Sequence, residues 1–319
     1  MDRRPTMNGV RQAADRLRGI VTETPLLPFE HDGRRLWVKA ECLQQGGSFK
    51  LRGATNRLLL LDAAERARGV VAFSSGNHAQ GVARAAKALG IPATIVMPRD
   101  APNVKVEGTR AAGAQIVFFD RATESREEIG ARLAAEQGAT LVPSFDDVDV
   151  IEGQGSVGVE IERQAGGSAP PLVIIPCGGG GLSSGIALAL PESRITIVEP
   201  EGWDDMRRSL ALGRIVPVEE PAPPTRCDAL QTKLVSPLTS DALRDAGAEA
   251  LAVSEAEVEA AMRFAFRNLR IVAEPGGAVA LAALLAGKAG DVPEGSVVVV
   301  SGGNVDAAVY AEILGAAER

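Results

Sequence analysis

The sequence predicts an α/β fold: two open, mostly parallel-sheet domains, the smaller inserted in the larger. Three observations predict it. Short β-branched runs alternate with longer stretches of helical period. The short runs are apolar at successive positions, as strands covered on both faces must be. Aromatics are only 3% of residues while Ala, Gly, Val and Leu abound, which suits helices packed closely on a sheet.

In chain order, the strand LWVKAE (36–41) precedes a helix over 51–67. VVAFS (70–74) leads to a helix over 77–89, and ATIVMP (93–98) to one over 103–113. QIVFF (115–119) is followed by a helix over 123–137, and TLVPS (140–144) by one over 148–164. LVIIP (172–176) and ITIVEP (195–200) precede helices over 182–190 and 204–212. A helix over 254–269 opens with the capping box Ser254 and Glu257. VVVVSG (297–302) precedes a last helix over 304–317. Residues 214–235 are Pro-rich and receive no element. The series from about 70 to 145 is compact, and a second begins near 170. The chain before residue 50 is too short to stand alone and joins the second. The expected division is a large domain of 1–52 with 148–319 and a small domain of 53–147.

The chain has 319 residues, 45% of them hydrophobic, enough to bury a sizeable core. A net charge of −7 without a basic run argues against nucleic acid and against an anionic membrane surface. No stretch approaches the ~18 apolar residues of a membrane span. The start, MDRRPTMNGV, lacks the apolar core of a signal peptide. Cys42, Cys177 and Cys227 are far apart and odd in number, fitting neither a disulfide framework nor a zinc site. A reduced, cytoplasmic protein is the expectation.

Ligands of open α/β sheets bind beyond the carboxyl ends of strands. Four strand-to-helix turns there are unusual. In LVIIPCGGGGLSSG, Gly178 to Gly181 separate a buried strand from an apolar helix. Their N–H groups and the helix N-terminus form a cup for a phosphate. The same loop imitates a dinucleotide site, because Glu199 ends the next strand about twenty residues on. The third glycine of that pattern is missing in every register, yet a nicotinamide oxidoreductase stays a competing reading. In FSSGNHAQG, Ser74, Ser75, Gly76, Asn77 and His78 gather hydroxyls, an amide and N–H groups at a helix start, a site for a carboxylate. Ordinary N-capping is the plainer alternative. In VVVVSGGNVDAA, Ser301 ends a strand and two glycines allow close approach of a flat ring; a tight turn explains the same residues. In IVEPEGWDDM, Glu199 and Asp205 with a backbone carbonyl between them could hold a hard cation, or simply be a surface loop.

Lys50, in QQGGSFKLRGA, ties these together. A lysine flanked by small residues can lose its proton and act as an amine nucleophile or base. An amine, a phosphate cup, a carboxylate site and a strand-end hydroxyl suit pyridoxal phosphate on a lysine Schiff base. A nicotinamide enzyme leaves Lys50 unexplained.

GGSFKLRGA, SSGNHAQG, CGGGGLSSG and SGGN occur in the order seen in fold type II pyridoxal-phosphate enzymes. The chain resembles, within these, the threonine/serine dehydratase and serine racemase family, from Thr24 to the C-terminal helix. The resemblance implies a tryptophan-synthase-β-like fold. It implies that Lys50 carries the cofactor and shuttles the Cα proton, with Phe49 near the ring. It places Gly178, Gly179, Gly180, Gly181 and Leu182 on the phosphate, Asn77 on the ring oxygen, Ser301 on the pyridine nitrogen and Glu274 beside the cofactor. Ser74, Ser75, Gly76, Asn77 and His78 would receive the substrate carboxylate, Ser75 doubling as the opposite-face acid/base of the racemase. Arg126 matches a substrate-anchoring arginine. Glu199, Asp205 and the carbonyl of Trp203 match ligands of Mg2+ or another divalent cation.

The expected reaction is loss of water from a β-hydroxy α-amino acid, giving a 2-oxo acid and ammonia. Threonine, serine, phenylserine and 3-hydroxyaspartate are the candidate substrates. Serine racemisation is the second reading and the nicotinamide oxidoreductase a distant one. The partner is a small amino acid, with no nucleic acid and no membrane, and the resemblance suggests a homodimer.

Overall fold

The computed structural model describes residues 3–74, 76–101 and 103–316. In chain order the elements are α1 (Met7–Leu17), β1 (Leu26–His31), β2 (Arg34–Ala40), α2 (Lys50–Leu59), α3 (Ala63–Arg68), β3 (Val70–Phe73) and α4 (Asn77–Leu89). Then come β4 (Ala93–Pro98), α5 (Asn103–Ala111), β5 (Gln115–Phe119), α6 (Arg126–Gln137), β6 (Thr140–Leu141), α7 (Val148–Gln164), β7 (Leu172–Pro176) and α8 (Gly181–Ala189). The chain ends with β8 (Arg194–Pro200), α9 (Asp205–Leu212), α10 (Pro237–Asp245), β9 (Glu249–Val253), α11 (Glu255–Phe264), α12 (Pro275–Leu285), β10 (Val297–Val300) and α13 (Ala307–Gly315).

The strands form two sheets. One has six strands in the order β1-β2-β10-β7-β8-β9, parallel except for the β1–β2 hairpin. The other has four parallel strands, β5-β4-β3-β6. This is the α/β architecture the apolar runs predict. Val297 to Val300 are fully buried because β10 lies at the centre of the larger sheet, between β2 and β7. α12 covers that sheet and is buried along almost its whole length.

Several elements differ from expectation. The helix expected over 51–67 is two, because Asp62 and Glu65 form a capping box that starts α3. α11 passes into a π turn at Ala265–Leu269 and stops at Arg270, whose φ is +58°. α12 went unassigned because an apolar sequence on every side has no period to detect. α1, α10, β1 and β9 were also missed; α10 is marked only by the Ser236 cap and Pro237. Of the run 140–144 only Thr140 and Leu141 form the strand, the Val142 N–H makes a last bond to Val71 at 2.9 Å, and Pro143 to Phe145 line the cleft. No helix among the described residues is long and apolar enough to cross a membrane.

Candidate active site

A cleft of about 550 Å³ is lined by turns at the carboxyl ends of strands from both sheets. Lys50, Ser74, Gly76, Asn77, His78, Arg126, the 178–182 loop and Ser301 all line it. Their meeting follows from the topology. β2 and β10 are neighbours, so the loops leaving them run side by side. Ser48 bridges to Gly302, the Phe49 N–H donates to the Ser301 carbonyl at 3.1 Å, and the Gly303 N–H donates to Gly47 at 2.8 Å. Lys50 and Ser301 are therefore held together by backbone.

Lys50 opens α2 at the floor of the cleft. Its Nζ donates to the Ser144 carbonyl at 3.0 Å and lies 5.1 Å from the centre of the Phe49 ring. Desolvation lowers its ammonium to about 8, so the neutral amine is accessible near physiological pH. Gly46 and Gly47 are explained locally. Both have positive φ, and a Cβ on Gly47 would stand 2.3 Å from Asn304 Oδ1.

The glycine loop lines the same cleft. Gly180 caps α8 with a φ of +86°, so the N–H groups of the first turn face outward. Among the described residues no carbonyl accepts from Gly178, Gly179 or Gly180 N–H. A Cβ on Gly179 would stand 2.3 Å from the Phe145 ring, so only glycine lets this loop lie against that side chain. Unspent donors beside a deprotonatable lysine fit an anionic, carbonyl-bearing cofactor.

Asn77, the first residue of α4, is 6% exposed. Asn304 Nδ2 donates to its Oδ1 at 2.9 Å, and its Nδ2 donates to Glu274 Oε1. The amide is thus fixed, with one N–H left for a ligand. Glu274, at 1% exposure, is pushed up to about 7 by burial, against the pull of Lys105. Its Oε2 has no hydrogen bond among the described residues. His78 Nε2 lies 2.8 Å from the Val142 carbonyl and must carry the hydrogen, leaving Nδ1 as a buried acceptor. Burial, aided by the Lys50 charge, lowers His78 to about 3, so the ring is neutral. The Ser74 hydroxyl accepts from the Gly76 N–H at 3.1 Å. Ser75 lies outside the described residues. Arg126 starts α6, with its Nε on Glu127 at 2.7 Å and its guanidinium 5.7 Å from the Phe73 ring centre.

Glu199, Trp203 and Asp205 are not brought into the cleft. They lie behind the glycine loop, where a Cβ on Gly180 would stand 2.8 Å from Met206 Cε. Glu199 accepts from the N–H groups of Met206 at 3.1 Å and Arg207 at 2.7 Å. Glu199 thus caps the start of α9 and does not line the cleft, which removes the ribose-binding role of the nicotinamide reading. Burial pushes Glu199 well up, and Asp205 to about 7. Both Asp205 oxygens lack hydrogen bonds among the described residues, and no cluster of three or more His, Cys, Asp or Glu able to hold a metal occurs among them. A hard cation there would use the two carboxylates and backbone carbonyls, a donor set that suits Mg2+ or Ca2+.

Sequence reasoning missed Ser144, Phe145, Lys105 and Asp228. Phe145 sits two residues before the α7 cap Asp147, in a stretch with no catalytic motif. Asp228 lies in the Pro-rich segment left unassigned. No sequence signal would have found Lys105.

Residues 17–303 match the family model described as "Pyridoxal-phosphate dependent enzyme". An L-threo-3-hydroxyaspartate ammonia-lyase from a Pseudomonas species is 44% identical over 96% of this chain and 97% of that protein. An L-threonine ammonia-lyase from Thermotoga maritima is 40% identical over 94% of this chain and 76% of that one. The solved structure of maize serine racemase superposes with a TM-score of 0.91, at 36% identity, covering 97% of each chain.

Proposed function

The chain belongs to the family of pyridoxal-phosphate dependent enzymes, and on that premise we propose that it is an ammonia-lyase acting on β-hydroxy α-amino acids. The products would be a 2-oxo acid and ammonia. The observation that carries this reading is Lys50, lowered to about 8, between unspent glycine N–H groups and the Ser301 side.

When bound, pyridoxal phosphate supplies the electron sink that stabilises negative charge at Cα. The N–H groups of Gly178 to Gly181 and Leu182 would hold its phosphate. The free N–H of Asn77 would meet its ring oxygen, and Ser301 its ring nitrogen. A hydroxyl cannot keep that nitrogen protonated as a carboxylate would, so the sink is weak. The β-hydroxyl would leave as water, the proton lost from Cα balancing the one it gains, and one water would then hydrolyse the unsaturated amine to the 2-oxo acid and ammonia. The Lys50 amine takes the Cα proton at Nζ, and its neutral fraction grows as pH rises through about 8. The N–H groups at the start of α4 receive the substrate carboxylate, while Phe49 and Phe145 exclude water. Ser75 is proposed, from family resemblance alone, as the second acid/base that would add racemisation. Glu199, Asp205 and the Trp203 carbonyl are proposed to hold a divalent cation and the working unit is proposed to be a homodimer, both from family resemblance; a cytoplasmic location is proposed from the three scattered cysteines.

An acidic substrate is the second reading. Arg126 lines the cleft, where its guanidinium could take a second carboxylate. The ammonia-lyase from Pseudomonas, named for 3-hydroxyaspartate, supports it. One experiment tests both. A panel of L- and D-β-hydroxy amino acids is assayed for 2-oxo acid and for enantiomer exchange with wild-type, Lys50→Ala and Arg126→Ala protein. Lys50→Ala should lose at least ~10³-fold in rate, and a wild-type rate would overturn the mechanism. Arg126→Ala should lose ~10–100-fold more on hydroxyaspartate than on threonine. Equal losses would exclude the acidic substrate.

A further inference from the structure

One set of buried charges is left without work by the elimination chemistry. Lys105, in α5, is 2% exposed. Its ammonium pairs with Asp228 and lies 3.8 Å from Glu274 Oε2. α5 packs with the four-stranded sheet unit, whereas Asp228 and Glu274 come from the chain that builds the six-stranded one. Burying a lysine costs several kcal/mol of desolvation, and an ion pair seldom recovers more than that. Stability alone is therefore a poor reason for this arrangement.

Its position supplies a better one. A Cβ on Gly76 would stand 3.5 Å from Lys105 Nζ, so the ammonium lies under the turn that opens α4. The carboxylate it faces holds the Asn77 amide through its other oxygen. The same Oε1 lies 2.1 Å from where a Gly302 Cβ would be, against the turn that follows Ser301. One ammonium therefore touches, directly or through Glu274, the turn for the substrate carboxylate, the amide for the ring oxygen and the turn beside Ser301.

We propose that Lys105 is an interdomain positioning residue that bridges Asp228 and Glu274, holding α5 against the large unit and Glu274 aimed at Asn77. The inference rests on the pyridoxal-phosphate reading of the cleft. Lys105 does not touch substrate or cofactor; it acts through Glu274 and Asn77. The titratable groups that face Glu274 are Lys105 from α5, Asp228 from the turn Asp228–Leu230, and the thiols of Cys42 and Cys227, both pushed up by burial and neutral. Lys105 favours the carboxylate and Asp228 opposes it. Removing each should move Glu274 in opposite directions, which no role in space-filling would do.

The test uses holoenzyme and the visible absorption of the bound cofactor, titrated with pH. In Lys105→Met the midpoint should rise by about one pH unit and kcat should fall about tenfold. Lys105→Arg should restore the wild-type profile. In Asp228→Asn the midpoint should fall, and this variant decides the matter if Lys105→Met does not fold. Unchanged midpoints in the variants, with a loss of melting temperature alone, would overturn the proposal. Wild-type protein that is colourless and takes up no cofactor would overturn the reading beneath it as well.

Discussion

Two buried charge networks flank the cleft, and they differ in one respect. Behind Lys50, Arg52 is fully buried and its guanidinium meets Glu41 at 2.8 Å by both Nε and Nη2. It also meets Glu160 at 2.7 and 2.8 Å and Ser156 at 3.3 Å. Lys39, equally buried, donates to the Thr24 carbonyl at 2.7 Å, to Glu160 at 2.6 Å and to Gln164 at 3.0 Å. Burial pushes Glu41 up, but the Arg52 guanidinium outweighs it and holds the carboxyl below its ordinary range. In the second network Glu274 Oε2 has no hydrogen bond among the described residues, only the Lys105 ammonium at 3.8 Å, and the carboxyl is raised to about 7. The first network joins β2, α2 and α7 within a rigid base, two residues from Lys50. The second joins parts that belong to different sheets. A satisfied network fixes geometry; an under-satisfied one leaves a carboxylate whose charge can change.

The largest expected effect breaks the satisfied network. Arg52→Met removes the guanidinium from both carboxylates, leaving Glu41 only the Thr24 hydroxyl and Glu160 only Lys39, and should cost ~3–5 kcal/mol, measured by denaturant unfolding. A loss below ~1 kcal/mol would mean that the two networks do not differ in kind. A smaller effect of opposite sign is expected on the other side. Glu274 titrates near 7 when folded and near 4.5 when unfolded, so wild-type stability falls as pH rises between these values. Glu274→Gln removes that loss while Lys105 keeps Asp228. The variant should gain ~1 kcal/mol over wild type at pH 8 relative to pH 5, read from melting at both. No change in the difference between the two pH values would show that Glu274 is not the orphan charge.

The smallest effect concerns Asp205, the other unpartnered carboxylate, also raised to about 7. A bound cation would relieve it. Mg2+ at a concentration equal to its Kd should add ~0.4 kcal/mol, reversed by a chelator. Melting that is indifferent to Mg2+ between ~0.1 and ~10 mM would count against the cation.

Much of this site was legible in the chain because its chemistry rests on local features. Gly178 to Gly181 between a buried strand and an apolar helix announce unspent N–H groups, and Lys50 among small residues announces an unusual amine. Ser301 was legible because strand ends are where ligands sit. The two networks were not legible. Arg52, Glu41 and Glu160 are separated by up to 119 positions, and Lys105, Asp228 and Glu274 by up to 169. Carboxylates and cations so spaced look like solvated surface until folding buries them. α12 escaped for the opposite reason, since burial on all sides erases periodicity. Phe145 gave no local sign that its ring would press on Gly179.

The sequence by itself determined the α/β class, the order of the four turn motifs and the type of cofactor they suit. Those follow from short-range chemistry: period, turn residues and helix starts. Tertiary structure alone decided which charges are buried, which carboxylates lack partners and that Lys105 reaches across to Glu274. Desolvation depends on the whole surrounding fold, and a pKa set by burial has no signature in the neighbouring residues.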